Sequence, residues 1–266
     1  MTIRKNLTPP ECRAIEEKLP QLDFVMSAVL RLSPDLISVK FGSDSSIPVA
    51  SICLRDAVDV LCDVKFALFE AFAHKVWFEN YEAESKRWVG IHFARFFADD
   101  AALRLYSAGV HLAAGLTKMF ELSKNDFAKR GTRKRINHRL VAVADYLERE
   151  MPNTKITKSM QDLIASKEWN ATIDYRNQWV HNQPPLINGV GIVYERRNRW
   201  IVSDDGIAVT FGGGDKPHHS IEELLGSVQR STLLFSELVR EVVSSYIELL
   251  SGYGIQVTEE DVSVVM

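Results

Sequence analysis

Between residues 49 and 85 the apolar side chains Val58, Leu61, Cys62, Phe69, Phe72, Ala73 and Val76 recur at steps of three and four, the repeat of one helix face. The pattern predicts a long amphipathic helix. A second helix is expected over "AALRLYSAGVHLAAGLTKMFEL", with Asp99 or Asp100 as its cap, and a third over about 133–150, stopped by Pro152. A fourth runs over about 156–182, where Pro184 and Pro185 end it because neither can continue the backbone ladder. In "SIEE", Ser220 and Glu223 form a capping box that starts the last long helix. Its stripe is Phe235, Leu238, Val239, Val242, Tyr246 and Leu249, and Gly252 and Gly254 terminate it.

Elsewhere the pattern is broken or changes period. Residues 9–32 read as helical but divided near Pro20, while Ser33, Pro34 and "GSDSSIP" make 33–48 mostly loop. The stretch "RWVGIHFARFFA" (87–98) follows neither the helical nor the strand period and receives no assignment. Over 187–217 the period falls to two: "VGIVYERRNRWIV" fits two strands with a turn near Arg197, and Ile207, Val209 and Phe211 alternate with smaller or polar residues. The expected fold is all-α, an antiparallel helical bundle with a small β-meander of two or three strands inserted before the last long helix. Residues 1–48 read as an N-terminal helical addition, 49–252 as the body and 253–266 as an acidic tail.

Composition narrows what this fold can do. With 266 residues, 46% of them hydrophobic, the chain can bury a substantial core. Its net charge of -3 gives no general attraction to polyanions, so any nucleic-acid contact must be a local patch. Cys12, Cys53 and Cys62 are odd in number and lack metal-ligand spacing, which points to reduced thiols and to no metal site. "MTIRKNLTPPECR" lacks the apolar run of a signal peptide, and no apolar stretch is long enough for a membrane span; a cytoplasmic protein is expected.

One short stretch combines the groups of phosphate chemistry. "DYRNQWVH" sets Arg176, Asn177 and His181 near the end of the fourth helix; Asn177 and His181 are i and i+4 neighbours, with Asp174 on the same face and Arg176 on its flank. The bare Arg-to-His step of five also occurs at Arg87–His92 and Arg133–His138, against roughly 0.5 expected by chance. Only Arg176 is followed directly by Asn. A histidine near a helix end also commonly bonds a terminal carbonyl, and Trp179 and Val180 read as core or interface packing.

"RNQWVH" resembles the R-x4-6-H motif of the HEPN superfamily, in which a polar residue often follows the arginine and the motif lies on a helix of an all-α bundle. The resemblance covers roughly residues 50–250 and implies a metal-independent endoribonuclease of toxin–antitoxin or antiviral defence systems. It implies a homodimer that brings two motifs into one cleft, an RNA substrate, no cofactor, and in some systems a cognate antitoxin. It also leaves open a non-catalytic HEPN-like module that binds nucleotide, RNA or a protein partner. In RNA cleavage by the 2′-hydroxyl, one group must take that proton, another must protonate the leaving 5′-oxygen, and positive charge must meet the transition state. Histidine suits either proton task, and arginine the third, because its planar fork matches phosphate oxygens.

The local patch that the charge balance requires is found at 124–139, "KNDFAKRGTRKRINHR", seven Lys or Arg against one Asp. Lys129, Arg130, Arg133, Lys134 and Arg135 are its candidate RNA contacts, and Phe127 a candidate base stacker, against the plainer reading of a solvated helix entry. Arg196, Arg197 and Arg199 form a weaker basic cluster. His218 and His219 lack partners at metal spacing, and His74, His92 and His111 are expected in core or interface.

Overall fold

Two long apolar-faced helices carry the centre of the structure. The computed structural model describes residues 3–42, 44–82, 89–123, 127, 139–181, 185, 187, 199–203, 206–210, 219–257 and 262–264. Helices α1 (Pro9–Glu16), α2 (Asp23–Arg31) and α3 (Pro34–Phe41) precede the long α4 (Ile47–Trp77), which closes in a π turn at Phe78–Glu82. Then come α5 (Val89–Met119), α6 (Arg139–Glu150), α7 (Lys155–Ala165), α8 (Lys167–His181) and α9 (Ile221–Gly252). The class is all-α. The described part of 187–217 holds one antiparallel pair, β1 (Arg199–Ser203) with β2 (Gly206–Thr210), in register Arg199 to Thr210. β3 (Ile255–Val257) pairs with β4 (Val262–Val264) within the tail.

α4 and α5 run side by side in opposite senses: Leu54 meets Gly115, Asp63 pairs with Arg104 at 2.7 Å, and His74 stacks on Phe97. Small residues on α5, Ala94, Ala98, Ala101, Ala102 and Ala108, are buried here and let the two helices approach closely. α9 lies against α4 from Tyr246 at Ile47 to Glu222 at Lys75, and α8 packs on both α5 and α9. One continuous core results, to which Ile15, Leu22, Val25 and Ile37 of the N-terminal helices also contribute.

Four segments differ from the sequence expectation, each for a local reason. Residues 34–41 are helix, not loop: Pro34 occupies the first helical turn, where its missing N–H costs nothing, and Gly42 at φ 77° ends the helix. Residues 89–98 open α5 instead of standing apart from it. Asp99 and Asp100 are interior to that helix, not caps, since Asp100 bonds Arg104 at 2.8 Å and Asp99 turns towards α8. The start of α5 is capped from outside by Glu82, whose carboxylate accepts the Gly90 N–H at 2.6 Å. The expected helix over 156–182 is two helices, broken at Ser166. That residue is extended (φ -64°, ψ 131°), and its hydroxyl accepts the Trp169 N–H at 3.3 Å, so the serine caps the second helix. The third expected helix is described from Arg139; 133–138 lie outside the described residues. The capping box at Ser220 and Glu223 is present, and Pro20 falls between α1 and α2.

Candidate phosphate site on helix α8

Helix α8 presents one face to two neighbours. Trp169 stacks on Phe235 of α9 at 5.9 Å with the two rings nearly parallel, and the Thr172 and Ser231 hydroxyls share a hydrogen bond of 3.0 Å. Asn170 stitches the break before the helix by donating to the carbonyls of Ile164 (3.0 Å) and Ser166 (2.9 Å). Towards its C-terminal end, α8 turns to α5. The Tyr175 hydroxyl donates to Asp99 Oδ1, and the Trp179 indole N–H donates to Asp99 Oδ2 at 3.3 Å. Arg95 adds an ion pair with Asp99 at 3.7 Å and donates to the Pro185 carbonyl at 3.0 Å. Burial pushes the Asp99 carboxyl above the usual carboxylate range, against the three donors that hold it down, and burial beside Asp99 pushes the Tyr175 phenol up.

On the flank of this network Arg176 lies with its guanidinium carbon 3.9 Å from the centre of the Tyr106 ring. Its Nη1 donates to Asn177 Oδ1 at 3.1 Å, and its buried Nε has no hydrogen-bond acceptor among the described residues. Among the described residues no carboxylate pairs with this half-buried cation. Asn177 is half-buried, and Asp174 and His181 are exposed, His181 in the last turn of α8. The structure thus joins Arg176 to Asn177 and leaves His181 five residues on, at the solvent end of the same helix. Among the described residues no side-chain hydrogen bond or ion pair links His181 to either of them.

Tyr106 also borders a small surface indentation of about 30 Å³, room for one water-sized molecule. Tyr106 and Gly109 of α5, Leu140 and Val141 of α6, and Trp169 and Ile173 of α8 line it. Sequence reasoning missed Tyr106, Asp99, Tyr175 and Trp169. The signal available was the i, i+4 pair Tyr175 and Trp179, two aromatics with polar tips that need partners when buried. Trp179, expected as core or interface packing, instead keeps 36% of its surface exposed while bonding Asp99, and Val180 is exposed as well.

The basic candidates Lys129, Arg130, Arg133, Lys134 and Arg135 lie outside the described residues, as do Arg196, Arg197 and His218. Phe127 is half-buried with its ring tilted on Tyr146 at 6.5 Å. His74 is buried, His92 is exposed, contrary to expectation, and His111 is half-exposed 3.7 Å from Asp56. His219 sets its ring edge-on to Tyr175 at 5.9 Å. Cys12 on α1 and Cys53 and Cys62 on α4 are free and half-buried. Among the described residues no helix is long and apolar enough to cross a membrane. No family model, curated protein or solved structure matches the chain.

Proposed function

We propose that the protein is a metal-independent endoribonuclease of HEPN type, its helices forming the antiparallel bundle of that superfamily and two copies pairing their motifs. One observation carries the reading: Arg176 is a half-buried guanidinium stacked on Tyr106 with no carboxylate partner among the described residues, on the same helix as the exposed His181. A cation held in place with no carboxylate on it among the described residues favours an anion, and its flat fork suits a phosphodiester. Its charge would oppose the charge that builds on phosphorus as the 2′-oxygen attacks. Solvent exposure leaves the His181 imidazole free to move a proton. One His181 would take the proton from the 2′-hydroxyl and that of a second copy would protonate the departing 5′-oxygen, leaving a 2′,3′-cyclic phosphate and a 5′-hydroxyl. Asn177 positions the guanidinium.

The test is cleavage of total RNA in EDTA by the wild-type chain, His181→Ala and Arg176→Ala, with circular dichroism to check the fold. Cleavage by wild type and its loss in both variants is expected; equal cleavage by His181→Ala would refute the reading. A second reading, a binding module without catalysis, is favoured by the lack, among the described residues, of a side-chain hydrogen bond or ion pair between His181 and the Arg176–Asn177 pair. It predicts RNA binding that needs Arg176, with no cleavage.

A further inference from the structure

We infer that Arg95 and Asp99 of α5 are positioning residues for His181, gripping the chain on both sides of it. The inference rests on the proposal that His181 moves a proton in RNA cleavage. His181 stands exposed in the last turn of α8. Helix ends fray, because their last carbonyls have no partner within the helix. An imidazole that must meet one particular proton therefore needs its backbone held from outside.

Two contacts supply that hold. Two residues before His181, the Trp179 indole N–H donates to Asp99 Oδ2 at 3.3 Å. Four residues after it, the carbonyl of buried Pro185 accepts from Arg95 Nη2 at 3.0 Å. Arg95 and Asp99 are one turn apart on α5 and pair at 3.7 Å, so both grips belong to one unit. Its two side chains are only 17% and 14% exposed, and the Tyr175 hydroxyl occupies the other Asp99 oxygen. Stability alone does not call for such a unit. A buried carboxylate and guanidinium give up their hydration, and apolar side chains of similar volume often hold a helix as well. Hydrogen bonds instead fix direction, because they weaken steeply when donor or acceptor turns away. Trp179 follows the same logic: with 36% of its surface exposed, its indole N–H, rather than burial of the ring, ties the last turn to α5.

The experiment compares wild type with Trp179→Phe and Arg95→Lys. Phenylalanine keeps a ring and loses the N–H, while lysine keeps the charge but lacks the fork that reaches carboxylate and carbonyl together. Amide hydrogen exchange is followed by NMR, and RNA cleavage in EDTA gives kcat and KM. Exchange at residues 179–181 should quicken about tenfold in each variant, while that of 169–173 and the melting temperature are retained. kcat should fall about tenfold or more with KM changed by less than about twofold, because Arg176 still meets the phosphate. Unchanged exchange, faster exchange without a fall in kcat, or a rise in KM at constant kcat would overturn the inference. If the wild-type chain cleaves no RNA, the nuclease reading falls and exchange alone decides: faster exchange at 179–181 keeps the grip on this helix end, and unchanged exchange removes it.

Discussion

Replacing Asp99 by alanine removes the acceptor on which the C-terminal half of α8 is hung. Tyr175 is 2% exposed and its hydroxyl donates to Asp99; among the described residues no other acceptor for it is seen. Orphaning that buried hydroxyl costs about 1–3 kcal/mol, and loss of the Trp179 bond adds about 0.5–1.5 kcal/mol. Arg95 keeps the Pro185 carbonyl, so its share is smaller. Asp99→Ala should therefore lower the unfolding free energy by about 2–4 kcal/mol. Tyr175→Phe should cost only about 1 kcal/mol, because Asp99 retains Trp179 and Arg95. In the double variant no hydroxyl is left unsatisfied, so the two losses overlap by about 1–2 kcal/mol. Urea denaturation of the four chains, followed by circular dichroism, measures the overlap. Additivity within about 0.5 kcal/mol would show that the Tyr175–Asp99 bond does not hold α8. On the proposed nuclease reading, RNA cleavage by Tyr175→Phe should fall, because a loosened α8 would displace His181 without altering it.

Two further predictions concern the start of α5 and the end of α4 beside it. The His74 ring lies between Phe93 and Phe97, with Glu70 Oε2 at 3.9 Å from its Nε2 and Glu82 nearby. Burial lowers its pKa below 6.5, with Glu82 opposing and the chain's amino terminus assisting. The unfolded chain then binds more protons than the native one below pH 6.5, so the His74 contribution is lost as the pH falls through that range. Glu70, whose carboxyl burial raises, acts in the opposite sense, losing stability as the pH rises from 4.5. Melting wild type and His74→Phe across this range should show their stabilities converging or crossing as the pH is lowered; parallel curves would count against a buried neutral imidazole. Gly90→Ala should destabilise by about 1–3 kcal/mol, because a Cβ there would sit 2.8 Å from the Glu82 carboxylate and 3.0 Å from the His74 carbonyl. An unchanged urea midpoint would contradict that packing.

Helical class, the long α4 and α9 and the capping box at Ser220 were all legible in the sequence, because they depend on contacts within a few residues of one another; the partner of Asn177 was not, since it bonds Arg176 and not His181. The start of α5 was not. Val89, Phe93 and Phe96 are large and exposed there, while Gly90, Ala94 and Ala98 are small and buried, so the apolar pattern points to the wrong face. Asp99 resembled a cap because aspartate commonly serves as one, and only the approach of Tyr175, Trp179 and Arg95 gives it another use. Likewise, Ser166 was hidden inside a run of good helix formers until its hydroxyl was seen to cap α8.

By itself the sequence determined most of the helical segments, though not 34–41 or 89–98, where several of them begin and end, and that an arginine, an asparagine and a histidine share one helix near its end. Tertiary structure alone decided that Tyr106, seventy residues before Arg176, supports its guanidinium and that no carboxylate among the described residues pairs with it. The reason is range: helix periodicity and capping are written in neighbouring residues, whereas the partners of a buried polar group come from wherever packing brings the chain together.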